Sequence, residues 1–114
     1  AKVESWNGSS WTETTDLNAS NQGQGSGGEY TTGLVWGGST GNPATITGNT
    51  EEWNGSSWTE VNNLNTGRRN ISGAYAGSTS ASLAFAGGPT PGSDTAGTEG
   101  WTAPVTSTVT FTAS

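Results

Sequence analysis

An eight-residue motif that occurs twice constrains the fold of this chain more than any other sequence feature. The residues WNGSSWTE stand at 6–13 and again, letter for letter, 47 residues later at 53–60. Three further pairs of identical residues flank the motif at the same 47-residue spacing: Glu4 with Glu51, Leu17 with Leu64, and Asn18 with Asn65. A fixed period of this length is typical of stacked supersecondary units, either four-stranded propeller blades or helical pairs.

The composition of the period favours strands over helices. Nineteen Gly and twenty Thr disfavour helices, and Thr and Trp are common in strands. Leu, Ile, Val and Phe together number only 13 of 114 residues, a fraction at which disorder is common. Six Trp favour a folded chain over a disordered one, since each side chain can bury roughly 150 to 250 Å² of surface. We therefore predict an all-β fold of short antiparallel strands joined by tight turns.

The turn inside the repeated motif has two possible registers. If residues 7–10 form a four-residue loop, Trp6 and Trp11 lie opposite each other on neighbouring strands. Such an aromatic pair stabilises by about 0.5 to 1.5 kcal/mol beyond the area that it buries. If Asn7 and Gly8 instead form a two-residue type I′ turn, Trp6 faces Ser9 and the pair is broken. The sequence leaves both registers open.

A glycine-rich segment follows the first hairpin. Residues 16–28 are polar and lack apolar periodicity, so we predict a loop. Gly23, Gly25 and Gly28 have the GxGxxG spacing of nucleotide-binding loops. No apolar strand precedes them and no helical pattern follows, so neither a nucleotide nor any other cofactor is expected here.

Apolar or alternating segments mark the remaining strands. Three are predicted from their patterns: residues 29–36, 71–77 and 82–88. The first can also be read as two shorter strands divided at Gly33. A third, degenerate copy of the hairpin begins at Trp101, and residues 105–113 alternate cleanly enough to predict a final strand.

Gly37 and Gly38 follow the strand predicted at 29–36, the second hairpin carries Trp53 and Trp58, and Arg68 comes before the next predicted strand. This order of features resembles the kelch-type repeat of β-propellers. In that repeat an apolar strand ends in a Gly doublet, a hairpin carries two aromatics five or six residues apart, and an Arg precedes the next strand. The matching residues here are Gly37, Gly38, Trp53, Trp58 and Arg68. The next unit matches at Gly87, Gly88 and Trp101 but lacks the second aromatic and the Arg.

This resemblance implies about two and a half four-stranded antiparallel blades. Residues 1–18 would be a half blade, and residues 19–65 and 66–114 would each be a blade. Propellers close with about four to eight blades, so we expect the ring to be completed by further chain or by oligomerisation. The sequence has no Met, which indicates a processed chain or one cut from a longer protein.

The amino-acid sequence of the repeat is also similar to that of repetitive proteins predicted in marine bacteriophages, for which tail or virion-surface roles are suspected. That similarity rests on the phrase WNGSSWTEV, followed by LNTGR and a Gly doublet. It implies a structural or adhesive protein that is extracellular or on a virion surface. Its expected partners are copies of itself or the rest of a longer chain.

The sequence offers little catalytic chemistry. The absence of His and Cys excludes Ser-His-Asp and Cys-His arrangements and the usual zinc and copper ligands. Neighbouring strand residues point to opposite faces, so Glu51 and Glu52 cannot act as a pair, and we expect both at a solvated strand end. We predict no enzymatic activity and no metal. With net charge −6 and three basic residues, nucleic acid is not expected as a partner, and no apolar run suits membrane insertion.

The Trp residues are the candidates for ligand contact, because exposed rings can stack on sugars. Packing is nevertheless the expected role of the hairpin residues Trp6, Trp11, Trp53, Trp58 and Trp101, since so little other apolar material is present. Trp36 lies beside a Gly doublet, where a ligand can approach the backbone, and is the candidate ligand contact, with packing as its alternative. The alternative function is thus a self-associating, carbohydrate-binding propeller that recognises surface glycans.

Overall fold

Short strands make up the regular structure of this chain. A computed structural model describes residues 1–41, 44–74 and 80–103. Within these ranges there are eleven strands and no helix: β1 (Glu4–Trp6), β2 (Trp11–Glu13), β3 (Gly25–Glu29), β4 (Thr32–Trp36), β5 (Ser39–Thr40), β6 (Thr45–Ile46), β7 (Thr50–Trp53), β8 (Trp58–Val61), β9 (Ser72–Gly73), β10 (Ala81–Phe85) and β11 (Thr98–Thr102). Accordingly, no helix in these ranges is long and apolar enough to cross a bilayer. The predicted all-β class is confirmed.

The strands form several small antiparallel sheets. The largest has the order β3-β4-β7-β8, and a three-stranded sheet has the order β11-β10-β9. Two further sheets have two strands each, β1-β2 and β5-β6. No sheet formed by the described residues closes on itself. The predicted final strand at 105–113 lies outside the described residues.

The two larger sheets repeat one pattern of strand pairing. In the first, Gly33 of β4 lies opposite Trp53 of β7. In the second, Ser82 of β10 lies opposite Trp101 of β11. Strands β4 and β10 are therefore equivalent, as are β7 and β11. Since Trp6 recurs as Trp53, the first hairpin β1-β2 is equivalent to β7-β8.

The register of the repeated hairpin is that of the four-residue loop. Trp6 lies opposite Trp11, and Trp53 lies opposite Trp58. The ring centroids are 5.4 Å apart in the first pair and 5.2 Å apart in the second. The cross-strand aromatic pair is thus formed in both copies, and the two-residue turn is excluded.

The core lies between the two larger sheets. Its buried apolar residues are Leu34, Trp36, Ile71 and Ala84, with Val61, Leu64 and Trp101 packed against them. The ring of Trp36 lies against the backbone of Gly25 on β3 and Gly73 on β9, where any Cβ would overlap it. These two glycines make room for the largest side chain in the core.

Two sequence predictions about the first large sheet were wrong. Residues 25–28 were expected in a loop, but they belong to β3. Residues 29–36 were expected as one strand or as two divided at Gly33; instead the chain turns at Tyr30 and Thr31, and Gly33 lies within β4. The glycines of β3 pair with β4, because a strand without side chains leaves room for the Trp36 ring.

The glycine doublets of the two units are offset by one residue. Gly37 and Gly38 have φ values of 68° and 94°. The equivalent positive values after β10 belong to Ala86 and Gly87, at 62° and 77°, whereas Gly88 lies outside the left-handed region. The sequence match of Gly87-Gly88 to the first doublet is therefore corrected: an alanine occupies the first glycine position.

Candidate functional site

The repeated hairpin is held by its Asn. In the first copy the Asn7 Oδ1 atom accepts hydrogen bonds from the main-chain N–H groups of Ser9 and Ser10, each at 2.9 Å. The second copy repeats both bonds with Asn54, Ser56 and Ser57, again at 2.9 Å. The sequence NGSS thus specifies the turn that places each pair of Trp rings together.

The two Trp pairs differ in exposure. In the first hairpin, Trp6 is 48% exposed and Trp11 is 63% exposed. Trp53 and Trp58 are partly buried, and the Trp53 indole N–H donates to the Tyr30 carbonyl at 3.2 Å. The first pair therefore presents aromatic surface to solvent, whereas the second is integrated into the sheet.

A buried carboxylate binds the loop that leads into the first large sheet. Glu51 on β7 is 4% exposed. Its Oε2 atom accepts from the Asn18 main-chain N–H at 2.9 Å and from Asn18 Nδ2 at 3.0 Å, and its Oε1 atom accepts from the Ala19 N–H at 3.0 Å. The expectation of a solvated Glu51 was wrong, because the loop satisfies this carboxylate with main-chain donors that sequence spacing does not reveal. Glu52 is partly exposed.

Glu99 makes the equivalent contact in the next unit. It stands two residues before Trp101, as Glu51 stands before Trp53. Its Oε1 atom accepts from the main-chain N–H of Asn65, the residue that repeats Asn18, at 2.7 Å. Burial opposes ionisation of Glu99, but hydrogen bonds from the Asn65 backbone and the Arg68 guanidinium outweigh it and hold the pKa of Glu99 below its ordinary value.

Arg68 links the same loop to the second large sheet. It is 1% exposed. Its Nη2 atom donates to Glu99 Oε2 at 2.9 Å, and its Nη1 atom donates to the carbonyls of Ala86 and Gly97 at 2.9 and 2.6 Å. The guanidinium thus joins three segments in a buried ion pair.

The third member of the carboxylate series is exposed. Glu4 on β1 corresponds to Glu51 and Glu99, but it lies at the surface and binds no loop among the described residues. The first hairpin is fastened at its other end, where Thr15 Oγ1 donates to the Ser56 carbonyl at 2.9 Å and Asn18 Nδ2 donates to the Trp58 carbonyl at 3.0 Å.

A cleft of about 580 Å³ lies beside β1. Residues Val3, Glu4, Ser5 and Trp6 form one wall. The lining also includes Tyr30, Gly33 and Trp53. Tyr30 is 72% exposed, so the lining includes an aromatic side chain that is open to solvent.

The candidate ligand residue Trp36 lies away from this cleft. It is 3% exposed and packs in the core, which is its alternative role. A ligand contact at Trp36 stays a prediction, and the exposed rings are those of Trp6 and Trp11. Among the expected packing residues, Trp101 packs against the core.

The residues that sequence reasoning missed are the carboxylates and their loops. The repeat itself contained a signal, since Glu and Asn recur at the same spacing as the Trp hairpin. Within the part of the chain that the structure describes, no group of three or more acidic side chains could hold a metal ion. Comparison with protein-family models and with curated proteins yields no match.

Proposed function

We propose that this chain is a non-enzymatic structural or adhesive module on a virion or cell surface, built from kelch-like β-propeller blades. The observation that carries the proposal is the repetition of one junction. In each of the two large sheets, a Glu two residues before a Trp binds the main chain of the Leu-Asn loop that enters that sheet: Glu51 binds Asn18, and Glu99 binds Asn65. A contact repeated at fixed spacing is characteristic of a module that extends by adding units.

The outer face of the last described sheet supports extension. Leu83 and Phe85 on β10 are equivalent to Leu34 and Trp36 on β4, which the next sheet covers. Leu83 is 49% exposed and Phe85 is 38% exposed, whereas Leu34 is 1% exposed. We infer that a further unit, from another copy or from more of the same polypeptide, covers this face.

The lack of His and Cys and the low content of basic residues support a structural role over catalysis or nucleic-acid binding. The proposed location on a virion or cell surface rests on the similarity of the repeat sequence to phage proteins and on the acidic, weakly charged composition.

Sedimentation of a double variant tests the assembly. Replacing Leu83 and Phe85 by Ser should reduce the native mass to that of the single chain, because it removes the apolar face. The matched control is Trp11→Ser, which removes a more exposed ring on β2 and should leave the mass unchanged. If the double variant sediments like the unsubstituted chain, this face does not hold units together.

A carbohydrate-binding role is the second candidate, and the exposed rings of Trp6 and Trp11 favour it. A lectin will bind immobilised glycans and lose that binding when Trp11 is replaced by Ala. A scaffold will bind no glycan with or without the substitution. A glycan array probed with both proteins therefore separates the two functions.

A further inference from the structure

Strand β1 has one edge that no strand among residues 1–41, 44–74 and 80–103 pairs. Within these ranges its sheet contains β1 and β2. The Asn7 N–H donates to the Ser10 carbonyl at 3.2 Å, and the Thr14 N–H donates to the Val3 carbonyl at 2.9 Å. Hydrogen-bonded pairs alternate along an antiparallel ladder, so Val3, Ser5 and Asn7 bond toward β2. The main-chain groups of Glu4 and Trp6 therefore point toward the open edge.

The equivalent edge in the first large sheet is occupied. Strand β7, which repeats β1, pairs with β4 along its whole length: Gly33 with Trp53, Leu34 with Glu52, Val35 with Glu51, and Trp36 with Thr50. The cleft beside β1 is lined by the consecutive residues 3–6, so it runs along the strand whose equivalent, β7, pairs with β4.

The second large sheet repeats this arrangement. There β11 is paired by β10, with Leu83 opposite Gly100 and Phe85 opposite Thr98. Both neighbouring strands carry Leu and an aromatic residue at alternate positions. Two of the three strands that contain a Glu-x-Trp sequence thus bind the same kind of partner, and β1 is the third.

We propose that the edge of β1 binds an extended strand, antiparallel, that carries Leu opposite Ser5 and an aromatic residue opposite Val3. The strand is supplied by a further unit of this repeat and not by β4 or β10 of a second copy, because each of these already pairs on both sides. Main-chain bonds to Glu4 and Trp6 give affinity, and the alternate apolar side chains give specificity, as in strand addition generally. This inference rests on the proposed function and names the partner of one of its surfaces.

The carboxylate of Glu4 adds a second contact for such a unit. Glu51 and Glu99 each accept main-chain N–H groups from the loop that enters their own sheet. Glu4 holds the same position on β1 and is exposed. It is therefore placed to accept the entry loop that accompanies the incoming strand.

A peptide of residues 29–38, which contains the sequence of β4, serves as the probe. Labelled with a dye, it is titrated with the whole chain by fluorescence anisotropy. The control peptide carries Leu34→Ser and Trp36→Ser. Binding of the first peptide should slow amide exchange at Glu4 and Trp6 and leave Ser5 unchanged, because the Ser5 N–H already bonds toward β2.

Two variants of the chain locate the binding site. Glu4→Pro removes an edge-facing N–H that the hairpin does not use, so β1-β2 should persist while the peptide affinity falls by about tenfold or more. Glu4→Ala keeps the N–H and should bind this peptide like the unsubstituted chain. Circular dichroism confirms that each variant is folded.

The outcomes separate this inference from the proposed function. No binding by the unsubstituted chain, or equal affinity in Glu4→Pro, overturns the strand site. If the peptide fails to bind while substitution of Leu83 and Phe85 still lowers the native mass, the strand site alone is wrong. If the chain binds the peptide but never assembles, the strand site at β1 is supported and the proposed assembly is contradicted.

Discussion

Trp36 and Phe85 occupy equivalent positions on β4 and β10, yet Trp36 is 3% exposed and Phe85 is 38% exposed. The first pairs with Gly25 of β3, and the second pairs with Ser72 of β9. The difference comes from the next sheet, which covers Trp36 and has no counterpart over Phe85 among the described residues. Burial at this position therefore depends on a neighbouring unit.

This contrast predicts unequal costs of truncation. Trp36→Ala should lower the free energy of unfolding by about 3 to 5 kcal/mol, because it opens a cavity between two sheets. Phe85→Ala should lower it by about 1 kcal/mol or less under conditions where the chain is monomeric. Urea unfolding followed by circular dichroism measures both. Equal losses would contradict the assignment of Trp36 to the core and of Phe85 to the surface of the monomer.

The buried ion pair gives a second prediction. Arg68→Ala leaves Glu99 without its cation and the Ala86 and Gly97 carbonyls without their donor, so the loss should be about 3 to 5 kcal/mol. Arg69→Ala is the matched control, with an expected change within about 0.5 kcal/mol. Comparable losses in the two variants would mean that the guanidinium network contributes nothing specific.

The lowered pKa of Glu99 predicts a dependence of stability on pH. Because the folded pKa lies below the unfolded value, the unfolded chain binds more protons at acidic pH. The contribution of Glu99 is therefore present above the ordinary pKa of a Glu, about 4.3, and is lost as pH falls through the lower folded pKa. In Glu99→Gln this acid-induced loss should be smaller. Unfolding curves between neutral and acidic pH measure it, and an unchanged pH profile in the variant would contradict the assignment.

The left-handed backbone at Ala86 gives a stabilising prediction. An L side chain at this φ of 62° costs about 1 to 2 kcal/mol, and the equivalent Gly37 avoids this cost. Ala86→Gly should therefore raise the free energy of unfolding by up to about 1 kcal/mol. The gain is smaller than the cost of the positive φ because a glycine loses more conformational entropy on folding than an alanine. The control Ala84→Gly lies in a strand and should destabilise. A loss at both positions would argue against the positive φ at Ala86.

Several features of the fold could be predicted from the sequence because they are local. The repeated NGSS loop contains its own hydrogen-bond acceptor in Asn, so one of the two registers considered for the Trp pair was correct. Strand β3 could not be predicted, because it is made mainly of glycine and exists through pairing with β4 and contact with Trp36.

The contacts between units were harder to predict than the strands within them. Glu51 sits in a polar sequence that suggests exposure, and it is buried only because a loop 33 residues earlier in the chain folds over it. Leu34 and Leu83 are likewise the same residue type in equivalent strands, and only the neighbouring sheet distinguishes core from surface. Such long-range differences are not contained in local patterns.

The native mass of the 114-residue chain tests the central claim most directly. Light scattering over a range of concentrations, together with the mass of the denatured chain, compares the assembled protein with the 11.5 kDa of the sequence. Completion by other copies of the chain predicts a native mass that is several times the denatured mass and that rises with concentration. Native and denatured masses that are both 11.5 kDa at every concentration would contradict completion by other copies, because the Leu83 and Phe85 face would then be stable without a second chain.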